Sequence, residues 1–165
     1  MSDEKEGNFQ DYLETESGKV TEVWPSLSNH FRRTSDPDIE YNALAWALGS
    51  NQRNFAPEKI AGYYWEPGIP REPTIIAHLQ LFKRHRYEIE AKDGRLEEGW
   101  EKVAIFVNAE GEPRHFARQL ENGNWTSKLI DLIDIEHDNL DCLQGELLGH
   151  VNCILMRRRP LKHGA

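Results

Sequence analysis

The chain has 165 residues, the size of one domain, and a formal net charge of −8 at neutral pH. This charge disfavours nucleic acids and anionic membrane surfaces as partners, because both repel an acidic protein. The sequence has no apolar run as long as a transmembrane helix, and its two cysteines are too few for a disulfide framework. We therefore expect a cytoplasmic globular protein with no membrane and no nucleic acid among its partners.

The composition along the chain divides it into three parts. Residues 1–19 are polar and acidic, which predicts a flexible arm. A single folded domain is expected over residues 20–156, and residues 157–165 are expected to form a basic tail. The sequence contains no internal repeat that would indicate a solenoid.

Two helices are predicted before the first long strand. The segment 41–49 is short, apolar and closed by glycine, which is typical of a buried helix. Asn42 is a suitable N-cap for this helix and would make Ala43 its first residue. The alternative is a start at Asp36 with a proline in the first turn. A second helix is expected after Thr74, because apolar residues recur at helical spacing behind this second N-cap candidate.

The rest of the chain predicts strands. The clearest is Glu101–Asn108, whose apolar residues occupy both faces and indicate a central position in a sheet. Other strands are expected at Tyr87–Ala91 and His150–Met156, with a hairpin in Gly111–Leu129 and a loop or short helices in Leu129–Leu148. The order of elements indicates an α+β fold in which N-terminal helices pack on a mostly antiparallel sheet.

The hairpin is predicted by an Asn-Gly pair that lies between two alternating runs. Opposing Leu120 to Trp125 puts Trp125 and Phe116 on one face, which we expect to be buried. Lys128 then lies on the other face and is expected to be exposed. His115 shares that second face, so it is expected to point into a cleft or into solvent, where it could serve as an acid or a base. A hydrogen-bonded structural histidine is the alternative.

Four short motifs resemble a family of small uncharacterised bacterial domains. They are NALAWALG from Asn42, HFARQ from His115, WTSKL from Trp125 and DIEH from Asp134. The corresponding family patterns are N-C-x-A-W-A-x-G, H-x-A-R-Q, W-x-S-K-L-G and D-I-E-H. A cysteine that opens a buried helix, followed by a histidine that opens a later strand, is similar to papain-like cysteine peptidases and amidases. The resemblance implies a papain-like fold and hydrolysis of an amide or peptide bond.

The resemblance also implies a role for each matched residue. Ala43 occupies the nucleophile position, and His115 is expected to face it across a cleft as the general base. A third polar group orients the histidine in such sites. Asp134 is our choice for this group, with Gln119 and Thr126 as alternatives. A thiolate at the start of the helix would be stabilised by the helix dipole and by an imidazolium.

Alanine offers no nucleophile, so acyl-enzyme chemistry at position 43 is excluded in this sequence. Ile130 is a second departure, because the family pattern has glycine there. Ala43 is either a laboratory inactivation of a cysteine or the result of natural loss of the site. The chain is therefore expected to be an inactive cysteine hydrolase of the peptidase or amidase type. The alternative is a non-catalytic protein that binds a protein or peptide, such as an immunity-like regulatory factor.

The aromatic, proline-rich loop 63–73 supplies candidate binding residues. This loop is expected to line a groove for a protein or peptide through Tyr63, Tyr64 and Trp65, together with Asn42 at the start of the first helix. The alternative is that this loop covers an edge of the core. The histidines and cysteines near the C-terminus lack the spacing of zinc ligands, so we expect no metal and no cofactor.

Overall fold

The computed structural model describes residues 24–27, 30–129 and 133–160. The predicted arm at 1–19 and Ile130 lie outside the described residues. The strands are β1 (Phe31–Arg33), β2 (Asn54–Phe55), β3 (Tyr63–Tyr64), β4 (Ile89–Glu90), β5 (Trp100–Val107), β6 (Pro113–Gln119), β7 (Trp125–Lys128), β8 (Asp134–His137) and β9 (His150–Arg158). The α-helices are α1 (Ala43–Ala47) and α2 (Ile75–Arg84), and 3₁₀ turns cover Pro25–Leu27 and Asp141–Leu143.

The prediction of a papain-like α+β fold is wrong, because strands dominate the described residues. Helix α1 has five residues and α2 has ten, so the helices form patches on a sheet rather than a layer of their own. The sequence interpretation also missed β8, which lies within the segment assigned to a loop or short helices. The motif DIEH forms this strand, and its apolar residue and its last histidine point to the face opposite its two acids.

One seven-stranded sheet organises the protein, in the order β1-β8-β7-β6-β5-β9-β4. All its neighbouring strands are antiparallel. Strand β5 lies between β6 and β9, which confirms its predicted central position. Strand β9 extends through Arg158, so the first two residues of the predicted basic tail are part of the sheet. Strands β2 and β3 form a separate, short parallel pair.

The hairpin of β6 and β7 has a register one residue away from the predicted one. Gln119, not Leu120, lies opposite Trp125. The Leu120 amide donates to the Asn124 carbonyl at 2.7 Å, and Gly123 has a φ of +92°. A glycine in this left-handed conformation closes a three-residue loop with a bulge, whereas the prediction assumed a four-residue loop. The shift by one residue moves all of β7 to the other face of the sheet relative to β6.

Both faces of the sheet are covered, and each has its own apolar core. The helix face carries Val103, Ile105 and Phe116, against which α1 and α2 pack. The opposite face carries Phe106 and Trp125. The two 3₁₀ turns, Pro25–Leu27 and Asp141–Leu143, pack against this face. Phe116 and Trp125 are both buried, as predicted, but on different faces.

Lys128 illustrates the consequence of covering both faces. It was expected to be exposed, yet it is completely buried on the helix face. Its ammonium group lies 4.1 Å from the ring centroid of Tyr41 and 4.0 Å from the Asp134 carboxylate. The expectation is wrong because α1 and the segment before it cover a face that the hairpin pattern alone suggested was open.

The N-caps of both helices are confirmed. The Asn42 side chain accepts a hydrogen bond from the Ala45 amide at 3.1 Å, and α1 begins at Ala43. Thr74 does the same for α2, accepting from the Ala77 amide at 3.2 Å. Within the described ranges, no helix is long and apolar enough to cross a membrane.

Candidate functional site

A cavity of about 310 Å³ opens at the start of α1. Ala43, the residue at the predicted nucleophile position, borders it. Its other lining residues include Asn42, Phe55, Pro57, Tyr63, His78 and Arg114. This cavity lies at the helix start that the sequence singled out, and its lining mixes polar and apolar groups in similar amounts. A concave surface with polar groups at defined positions can hold a ligand, so we take this cavity as the candidate site.

Asn42 fixes the wall of this cavity. Its Oδ1 atom accepts hydrogen bonds from the Ala45 amide and, at 3.2 Å, from the Phe55 amide. Its Nδ2 group donates to the Phe55 carbonyl at 2.7 Å. One side chain thus caps α1 and ties it to β2. This placement makes Asn42 a structural part of the site and holds Ala43 in a fixed position at the cavity.

His115 borders the same cavity as Ala43, since residues 113–116 at the start of β6 form one of its walls. The expectation that His115 points into a cleft or solvent is wrong, because the residue is 1% exposed. Its ring lies 5.1 Å from the ring of Phe106, which belongs to the core of the opposite face. Ala43 packs against the core of the helix face. The imidazole is therefore directed away from the side on which α1 lies.

The ring of His115 belongs to a buried hydrogen-bonded chain. Its Nε2 atom lies 2.9 Å from the Ser127 hydroxyl, which lies 2.8 Å from Nε2 of His137. The Nδ1 atom of His137 lies 2.8 Å from the Asn139 carbonyl. A carbonyl only accepts, so Nδ1 of His137 carries the proton and its Nε2 accepts from Ser127. Ser127 in turn accepts from the protonated Nε2 of His115.

Burial keeps both histidines of this chain neutral. It lowers the pKa of His115 to about 3, with a further contribution from the nearby His137. Burial likewise lowers the pKa of His137 to about 4. A general base works best with a pKa near the working pH, so a group with such a low pKa is a weak proton acceptor. The geometry gives His115 a firm structural role on the opposite face of the sheet.

Asp134, the preferred orienting group, lies on the other side of the sheet from the His115 ring. Its Oδ2 atom accepts a hydrogen bond from the Tyr41 hydroxyl at 2.5 Å. Its Oδ1 atom has Lys128 at 4.0 Å as its charged neighbour. Burial raises the pKa of Asp134, against the effects of the Tyr41 hydrogen bond and the Lys128 charge. Ser127, rather than Asp134, holds the ring of His115.

The two alternative orienting groups also have other partners. The Gln119 side chain donates to the Gly94 carbonyl at 2.7 Å and is completely buried. The Thr126 hydroxyl accepts from the Trp46 indole at 2.9 Å and donates to the Ile135 carbonyl at 3.0 Å. These contacts connect loops and α1 to the sheet. Neither side chain hydrogen-bonds to His115 within the described parts of the chain.

Of the three aromatic residues predicted to wall the groove, Tyr63 lines the cavity and Tyr64 and Trp65 do not. Tyr63 lines the cavity, whereas Tyr64 packs edge-on against Phe55 with ring centroids 5.2 Å apart. Trp65 is 3% exposed, and its indole N–H donates to the Ile69 carbonyl at 3.2 Å. The side chains alternate along this short strand, so Tyr63 and Tyr64 face different ways. Trp65 belongs to the core that the loop covers.

His78 is a cavity residue that the sequence interpretation missed. It lies on α2, is 5% exposed and stacks on Phe116, with ring centroids 5.5 Å apart and planes 14° apart. Its Nδ1 atom lies 2.7 Å from the Thr74 carbonyl. The sequence did contain a signal, because His78 lies four residues before Phe82 and therefore on the apolar side of the predicted helix.

The comparisons with known proteins identify a family but no activity. Residues 32–156 match the domain of unknown function DUF7689, and the chain belongs to this family. Comparison with curated proteins and with solved structures gives no significant match. The match covers the sheet from β1 to most of β9, including the cavity.

Proposed function

We propose that this member of the DUF7689 family is a non-catalytic binding protein that holds a short peptide segment of a partner protein in the cavity beside Ala43. The cavity itself supports this proposal most directly. Its volume of about 310 Å³ and its mixed apolar and polar lining suit a few amino-acid residues. A methyl group stands where the resemblance places a thiol, so the site can bind without forming a covalent bond.

The surroundings of the cavity support binding rather than turnover. The Asn42 hydrogen bonds fix the cavity wall before any ligand arrives, which reduces the entropic cost of binding. The nearest predicted base, His115, has a pKa lowered to about 3 and is held by Ser127. Tyr63 is 36% exposed at the cavity and offers an aromatic contact surface of the kind enriched at protein interfaces.

Selection from a peptide library tests the proposal. Immobilised protein would be offered to a random peptide library displayed on phage, and the affinity of enriched peptides would be measured by calorimetry. Ala43→Trp fills the cavity and should weaken binding at least about tenfold, which corresponds to roughly 1.4 kcal/mol. Ile89→Trp is the matched control, because Ile89 is exposed on β4 at the far edge of the sheet. Equal binding by both variants would contradict the proposal, as would the absence of any enriched peptide.

The geometry argues against a second candidate, a cysteine hydrolase site that lacks its nucleophile. Ala43 and His115 both border the cavity, but the His115 ring lies against Phe106 in the core of the opposite face and is hydrogen-bonded to Ser127. Ala43→Cys should therefore give a thiol whose reaction with iodoacetamide is the same with and without His115→Ala, whereas a thiol that reacts well below its usual pKa and depends on His115 would favour the hydrolase. Mass spectrometry of the labelled peptides separates this thiol from Cys142 and Cys153. An ordinary thiol that is indifferent to His115 would leave the binding protein as the better interpretation.

A further inference from the structure

The imidazole of His78 is held in one orientation at the cavity. It stacks on Phe116, and the Trp65 ring meets it edge-on at a centroid distance of 5.4 Å. The Thr74 carbonyl, 2.7 Å from Nδ1, fixes the rotation of the ring. A side chain anchored on three sides loses little conformational freedom when a ligand binds. His78 is therefore preorganised for recognition.

The hydrogen bond to Thr74 also determines the tautomer of His78. A carbonyl oxygen only accepts, so Nδ1 carries the proton and Nε2 presents a lone pair. Burial lowers the pKa of His78, which keeps this neutral form at neutral pH. Nε2 makes no hydrogen bond within residues 24–27, 30–129 and 133–160, although the residue is 95% buried and lines the cavity. Among the described residues, Nε2 is not one of the fully enclosed polar atoms that lack a partner, so it is open to the cavity and available to a ligand that donates a hydrogen bond.

Glu58 adds a negative charge to the same cavity. It lines the cavity, and its charge acts on His78 by favouring the protonated form of the ring. No salt bridge neutralises Glu58 among the described residues. Arg114 also lines the cavity and has Glu112 at 3.8 Å as its own counter-charge. The cavity thus combines a neutral acceptor and a carboxylate, a pair suited to a positively charged donor.

We propose that the cavity recognises the free N-terminal ammonium group of a peptide, with His78 Nε2 accepting one of its hydrogen bonds and Glu58 supplying the opposing charge. This inference rests on the proposed function and names its ligand. The apolar walls formed by Phe55, Pro57 and Tyr63 then receive the first side chains of the peptide. Capture of an N-terminal amine is a known mode of peptide recognition.

The test uses the tripeptide amide Ala-Val-Phe-NH₂ and its N-acetylated form, titrated into the full chain labelled with ¹⁵N. The free amine should shift the imidazole Nε2 resonance of His78 and bind at least about tenfold more tightly than the acetylated form. His78→Phe keeps the aromatic stacking but removes the acceptor, so its affinity should fall by a similar factor. His78→Gln restores an acceptor near Nε2 and should recover most of the affinity. Glu58→Gln should weaken binding of the free amine but not of the acetylated form.

The outcomes separate this inference from the proposed function. If both forms of the tripeptide bind equally at the cavity, recognition of the ammonium is overturned while peptide binding stands. If neither form shifts the cavity resonances, the inference is also overturned, and the phage selection decides the proposed function independently. The comparison between free and acetylated peptide uses the unsubstituted chain and so remains decisive if His78→Phe fails to fold.

Discussion

Lowering the pH from 7 to 5 should destabilise the protein strongly, because its buried histidines cannot take up protons in the folded state. The pKa of His115 is lowered to about 3 and that of His137 to about 4, whereas both titrate near 6.5 in the unfolded chain. The unfolded state therefore binds more protons than the folded state throughout this range. The two histidines therefore lower the free energy of unfolding as the pH falls through their unfolded pKa of about 6.5.

The magnitude follows from the same values. Between pH 7 and pH 5, each histidine that protonates only on unfolding costs roughly 2 kcal/mol, so the pair costs about 4 kcal/mol. This is a large share of the ~5–15 kcal/mol that stabilises a typical domain. Asp134 has the opposite sign: burial raises its pKa, so protonation in the folded state adds stability as the pH falls. A matched variant is needed to remove this contribution.

His115→Gln provides that comparison, since the glutamine amide can still donate to the Ser127 hydroxyl. Urea unfolding would be measured for both proteins at pH 7 and pH 5. The unsubstituted chain should lose about 2 kcal/mol more than the variant over this interval, and the contribution of Asp134 cancels in the difference. Equal losses would refute the reasoning, because they would mean that His115 takes up its proton while the protein remains folded.

Three further predictions concern packing and thiol chemistry. Trp125→Ala should lower the free energy of unfolding by about 3–5 kcal/mol in a urea melt, because this side chain is 2% exposed; a small change would contradict its place in the core. Gly149→Ala should lower the free energy of unfolding by at least ~1 kcal/mol more than Gly99→Ala does in thermal melts. Both glycines have a positive φ, but of the two only Gly149 would bring an added Cβ into collision with the backbone of β5. Equal costs would argue against that close approach. Cys142 is buried and Cys153 half-buried, and burial raises the pKa of each thiol to about 11. Both should react slowly with iodoacetamide at pH 7.5 and rapidly in urea, and fast labelling of Cys142 in the folded chain would contradict its burial.

Local features of the sequence were sufficient to predict several elements. Asn42 and Thr74 act as N-caps through short-range hydrogen bonds, so the starts of both helices could be identified from neighbouring residues. The apolar residues on both faces of β5 correctly indicated a strand between two others. The turn at Gly123 could also be predicted from neighbouring residues, because an Asn-Gly pair by itself favours a left-handed backbone conformation.

The site was only partly accessible to this reasoning. The sequence placed Ala43 at a helix start, and the structure gives that position a cavity. The choice of His115 depended on the hairpin register and on an open second face, and neither assumption holds. His78 was overlooked because a histidine on an apolar helix side resembles a core residue, and only the packing of α2 beside β6 brings it to the cavity.

The sequence by itself determined the capped helices, the central strand and the position of the hairpin turn, because each depends on interactions between residues close in the chain. The tertiary structure decided which faces of the strands are buried and which histidine meets the cavity. The Asn-Gly signal is compatible with loops of three or four residues, and a change of one residue reverses the faces of a strand. Lys128 is buried because α1, more than eighty residues earlier in the chain, covers that face of the sheet.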